Sequence, residues 1–189
     1  YYPLALVVMW AALVALERPT WRNSALVGVA LALALATRTQ AVALAAGIVF
    51  APVVLGIIEG SRLTRVRASW RLYSLFGAAA VIVLAGQALR GQSLSALLGA
   101  YGVVGDRSYG VVTVLRYWLW HAEELTLYLG VVPVAATLVL LGRSRRLPAR
   151  LQAHLAVTVS FSVFTTLVVA AFASEFANRV QERNSFAIA

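Results

Sequence analysis

The chain alternates long apolar runs with short clusters of arginine, and the lengths of the runs set the expected architecture. A helical bilayer span takes about 20 mostly apolar residues. Tyr2–Leu16 carries no charge and reads as the end of a span, followed by a polar turn over 17–23. Ser24 is then the expected N-cap of the next helix. Residues 25–58 are apolar except for Thr37, Arg38, Thr39 and Gln40. As one straight helix these 34 residues would reach about 51 Å, against a hydrocarbon core of about 30 Å. The polar tetrad therefore predicts a break: a short helix over 25–36, then a span over 40–58.

Uncharged spans follow at 72–89, 125–142 and 151–174. Between them lie a basic loop at 59–71, a long aromatic segment at 90–124 and a basic loop at 143–150. A charged tail occupies 175–189. Within 90–124, Ser93–Ala100 and Val111–Ala122 show helical periodicity with aromatic residues on one side, as interfacial helices do. The expectation is an all-α, polytopic transmembrane helical bundle. It contains a broken-helix hairpin and an outer-face segment of short interfacial helices. The whole of 1–189 reads as a single membrane domain, an internal fragment of a longer protein.

Composition agrees with this picture. Of the 189 residues, 61% are hydrophobic and 12% charged, about half the charge of an ordinary soluble domain. Cysteine is absent, which removes disulfides and thiolate metal sites from consideration. The net charge of +9 comes from sixteen arginines and no lysine. Because these arginines sit between apolar spans, topology explains them better than nucleic acid, which is not an expected partner. With Arg38 at a hairpin tip, the loops at 17–23, 59–71 and 143–150 share one face and hold ten arginines. The positive-inside rule makes that face cytoplasmic and the 90–124 segment extracytoplasmic.

Chemistry then belongs on the outer face. Arg38 between two apolar helices is costly at mid-depth and must reach water, headgroups or an anion. A helix starting just after it adds free N–H groups and a positive dipole end, which together make a phosphate site with Gln40. The alternative is an arginine snorkelling from a loop tip. His121 and Glu124, spaced i and i+3, share a helix side and either bind a polar substrate or orient each other. Carboxylates at a helix start also suit the dipole without further function. Asp106 is the sole aspartate. In the tail, Arg179, Glu182 and Arg183 have helical spacing. Glu182 can pair with Arg179 and leave Arg183 for an anion, or all three form a surface cluster. No nucleotide-binding loop, zinc motif or nucleophile elbow is present.

Three stretches resemble the GT-C glycosyltransferases that use polyprenyl- or dolichyl-phosphate sugars, the bacterial mannosyltransferase-like proteins in particular. They are the small-residue helix Gly28–Gln40, the stretch Leu119–Tyr128 with Gly130 and Pro133 after it, and Arg179–Phe186. In the last, Asn184 stands where the family has an aromatic residue. The resemblance implies an integral-membrane enzyme that transfers a sugar from a polyprenyl-phosphate-linked donor to a glycan, lipid or protein acceptor. It places the donor phosphate near Arg38, Gln40 and Arg183. Asp106, His121, Glu124, Arg179 and Glu182 are candidates for substrate binding. The family's catalytic base lies in a first outer loop, expected before Tyr1, so this piece alone is expected to be inactive. No cofactor is implied with certainty, and a divalent metal is left open. A membrane transporter or flippase with Arg38 on the substrate path is the alternative.

Overall fold

Helix is the outcome that uninterrupted Ala, Leu and Val runs dictate in lipid, where each backbone N–H and C=O must be satisfied within its own segment. A computed structural model of the chain describes residues 2–38, 41–91 and 109–177. Among the described residues it is all-helical with no strand. The helices are α1 (Tyr2–Glu17), α2 (Trp21–Thr37), α3 (Val42–Glu59), α4 (Arg62–Ala68), α5 (Trp70–Leu89), α6 (Val111–Leu129), α7 (Val131–Gly142) and α8 (Ala149–Phe172). A 3₁₀ turn over Ser144–Arg146 precedes α8, and a π-turn over Ala173–Ala177 ends it. Three helices, α3, α5 and α8 with its π-turn, are long and apolar enough to cross a membrane. The count becomes four if α6 and α7 together form one broken span.

The core lies where α3 packs along α8, with α1 against both and α2 against α1. Small residues permit the close approach, as in membrane bundles generally. Gly47 faces Phe161 so closely that an added Cβ would sit 3.2 Å from the Phe161 Cα. Phe50 and Phe164 pack ring to ring one turn away, with centroids 4.7 Å apart. Pro52 lies inside α3, where it removes one helical N–H. The Tyr73 hydroxyl on α5 donates to the nearby Val49 carbonyl at 2.9 Å, which ties α5 to this stretch.

The three basic segments meet at one end of the molecule. Arg71 donates from Nη1 to the Pro19 carbonyl at 2.7 Å, and Trp21 meets Trp70 edge to face at 5.3 Å. Arg150 lies 3.4 Å from Glu17. The 3₁₀ turn touches α3, and Glu59 at the end of α3 holds Arg65 of α4. That carboxylate raises the Arg65 pKa above its ordinary value, chiefly through the hydrogen bond. Ten arginines therefore stand at this end against Glu17 and Glu59, eight of the nine net positive charges.

Three boundaries differ from expectation. Ser24 is not the cap of α2; it is buried inside the helix at 1% exposure. Thr20 caps instead, its hydroxyl accepting from the Asn23 N–H at 3.3 Å. The basic connection over 59–71 is partly helical, as α4, and α5 begins at Trp70. The continuous span expected over 125–142 is two helices whose axes diverge by 113° at Gly130. Gly130 has φ 85° and ψ 149°, a backbone region that only glycine enters at low cost.

Candidate functional site at the end opposite the arginine cluster

α2 and α8 both start at the basic end and rise away from it. The 17 residues of α2 carry Arg38 to about 25 Å above that end, and Ala149 to Thr166 climbs about the same distance. Arg38 and Thr166 are thus each about 25 Å along their helices from that end.

Arg38 ends α2 in extended backbone (φ −159°, ψ 125°), and its N–H still donates to the Ala34 carbonyl at 3.0 Å. Its carbonyl accepts from the Ala41 N–H at 3.0 Å, which links the two helices tightly. Thr37 turns its hydroxyl back to the Ala34 carbonyl at 2.7 Å. α3 then starts at Val42 without a side-chain cap. Arg38 is exposed. Gln40 lies outside the described residues.

α6 carries a second group of candidates, packed against α8. Val114, Tyr117, Trp118, His121 and Glu124 recur at helical spacing on its more buried side. The Trp118 Nε1–H donates to the Thr166 hydroxyl of α8 at 2.8 Å, so this side faces α8. Thr166 passes its own hydrogen to the Ser162 carbonyl at 2.7 Å, or to that of Val163 at 3.1 Å. His121 is 1% exposed, and its Nδ1 stands 2.7 Å from the Tyr117 carbonyl. A carbonyl only accepts, so Nδ1 carries the hydrogen and Nε2 of a neutral ring is an acceptor. Glu124 lies one turn further along the same side, with Oε2 buried, while Glu123 faces outward. The shared side expected of His121 and Glu124 is present, turned towards protein.

α8 meets α6 with an irregularity: its last turn, Ala173–Ala177, winds as a π-turn in contact with α6. Such widened turns recur at functional sites. The tail residues Arg179, Glu182 and Arg183 follow it directly in sequence. They lie outside the described residues, as does Asp106. Among the described residues, no three His, Asp or Glu side chains come together as a metal site would require.

Trp118 and Thr166 were not singled out from sequence. A signal for Thr166 does exist, because Thr158, Ser160, Ser162, Thr165 and Thr166 cluster within nine residues of an uncharged span. Hydroxyls inside a span commonly serve helix-to-helix bonding. The Ser160 hydroxyl is buried as well, with no hydrogen-bond partner among the described residues.

Compared with protein-family models, curated proteins and solved structures, the chain matches none. The class that the fold defines is an all-helical chain whose apolar helices are compatible with an integral membrane protein.

Proposed function

We propose that this chain is the donor-side part of an integral-membrane glycosyltransferase of the GT-C type. It would transfer a sugar from a polyprenyl-phosphate donor to an acceptor on the extracytoplasmic face. The basic end is cytoplasmic in this reading, because arginine-rich connections are retained there. The observation that carries the proposal is the level of Arg38. It ends an apolar helix about 25 Å from the arginine cluster, at the depth where the phosphate of a lipid-linked donor would lie in the outer leaflet.

In the transfer, an acceptor oxygen bonds to the anomeric carbon of the sugar as the bond from that carbon to the phosphate oxygen breaks. The acceptor proton leaves to a base, and negative charge builds on the departing lipid phosphate. A fixed guanidinium stabilises that charge where it develops, and this is the role assigned to Arg38, with Gln40 and Arg183 beside it. His121, buried against protein, and Glu124 are assigned to orienting each other beside the substrate; Asp106, Arg179 and Glu182 complete the proposed outer-face set.

The test is binding of polyprenyl-phosphate mannose and polyprenyl-phosphate glucose, presented in turn to the chain in lipid nanodiscs. Hydrogen bonds to charged groups contribute about 1.5–3 kcal/mol, so Arg38→Ala should weaken the bound donor roughly tenfold to a hundredfold. Equal affinity of variant and parent would remove the phosphate assignment. One observation favours a transporter instead: the break at Gly130 leaves a discontinuous helix of the kind that lines transport paths. Rapid movement of a fluorescent polyprenyl-phosphate sugar between leaflets of proteoliposomes, without sugar transfer, would decide for that reading.

A further inference from the structure

The ten arginines of the basic end are not equivalent. Arg65 is held by Glu59, Arg150 lies beside Glu17, and Arg71 is bound to the Pro19 carbonyl with its Cζ 5.2 Å from the Trp70 ring centre. Glu17 and Glu59, the two acids of this end, are thus already engaged. Arg143, Arg145 and Arg146 are placed differently. They follow one another around one 3₁₀ turn, and none of the three meets a carboxylate among the described residues.

The turn is anchored from beneath. The Arg146 N–H donates to the Arg143 carbonyl at 2.9 Å, and the Leu147 N–H to that of Ser144 at 3.1 Å. Gln152, buried in α8, donates from Nε2 to the same Ser144 carbonyl at 3.0 Å. Ser144 is itself buried, while the three arginines around it are exposed. With Leu141 and Gly142 these residues line an open pocket of about 440 Å³. Leu141 and Gly142 end α7, whose preceding residues Leu138, Val139 and Leu140 are 62%, 56% and 42% exposed. A cationic pocket therefore adjoins an uncovered apolar helix.

That pairing of charge and grease matches one kind of molecule. Guanidinium groups bind phosphate oxygens through two parallel N–H bonds, and basic pockets at the cytoplasmic side of membrane helices take lipid headgroups. We infer that the Arg143–Arg146 turn binds the phosphate of an anionic phospholipid, whose acyl chains lie along the exposed side of α7. Inorganic phosphate offers the same charge but leaves α7 uncovered, so the lipid is the expected occupant. This site lies at the end opposite the proposed donor site and does not depend on it.

The test is native mass spectrometry of the intact chain in a zwitterionic detergent. It would be titrated separately with phosphatidylglycerol, phosphatidylcholine and inorganic phosphate. Phosphatidylglycerol should bind saturably, and the other two at least about tenfold more weakly. Replacing Arg143, Arg145 and Arg146 together by Gln should weaken phosphatidylglycerol on the order of a hundredfold. The same change at Arg18, Arg22 and Arg67 removes equal charge from the same end and should cost less than about threefold. The triple Arg→Lys variant at 143, 145 and 146 keeps the charge, and with it the topology signal. It should still bind several-fold more weakly, since lysine lacks the planar fork. Equal loss in the two Gln triples would overturn the site in favour of a diffuse field. So would unchanged binding by the Lys triple, or phosphate or phosphatidylcholine binding as well as phosphatidylglycerol.

Discussion

α3 and α5 are both long and apolar enough to cross a bilayer, yet 50% of the α3 span is buried by its neighbours and 11% of the α5 span. Their composition does not explain the difference. α3 offers Gly47 and α5 offers Gly77 in equally apolar surroundings, but Gly47 touches Phe161 and Gly77 has nothing within 4 Å of an added Cβ. Apolar character selects the helices that suit lipid. Which of them then pack on protein depends on the partner's surface, and α8 presents α3 with matching residues along most of its length. α5 is attached at its start, by Arg71, Tyr73 and the contact of Leu75 with Gly28. Its later turns, including Val81 and Ile82, are exposed.

The contrast predicts opposite responses to the same kind of substitution. Leu55→Ala empties a site that is 1% exposed on α3, and should lower stability by about 2–5 kcal/mol through lost contact and a residual cavity. Ile82→Ala on α5, 71% exposed, should change it by less than about 0.5 kcal/mol. Thermal unfolding in detergent would compare the two, and equal losses would break the contrast. Gly47→Val should cost about 1–3 kcal/mol by overpacking against Phe161. Gly77→Val should be close to neutral, and a loss there in native membranes but not in detergent would reveal a partner on α5. Among the packed positions the smallest loss is expected from Trp118→Phe, which removes one interhelical hydrogen bond to Thr166. Such bonds average about 0.6 kcal/mol in membrane proteins. A much larger loss would mean that α6 belongs with the packed half as firmly as α3 does.

Much of this layout was legible from charge and length. The end of α5 at Leu89, the range of α3 and the interruption at Arg38 follow from where polar residues cut apolar runs. The grouping of the three basic segments follows from counting arginines under the hairpin expectation. The start of α2 was misplaced because Ser24 looks like a cap; the deciding chemistry is the Thr20 hydroxyl three residues before the Asn23 N–H. A break at Gly130 is not expected from the apolar run over 125–142, because glycine is common in membrane helices and apolar periodicity carries no information on the sign of φ. Of the candidate residues, His121 and Glu124 share a side of α6 as their i, i+3 spacing implies. The π-turn could not, since the run Ala173–Ala177 has no residue that distinguishes a widened turn from an α-helical one.

The central position of α8 has a consequence for how the molecule is made. Its last described helix packs against α1, α3 and α6, so the core closes only when the ribosome has passed α8. About 90 residues separate the end of α3 from the start of α8, on the order of 5–20 s of synthesis at ordinary rates. In a bilayer, acyl chains would solvate the small-residue side of α3 during that interval. A soluble chain with such a surface bare for so long would risk aggregation. In a bilayer the solvent is already apolar, and the late helix would displace lipid from a surface that has been waiting in a compatible medium.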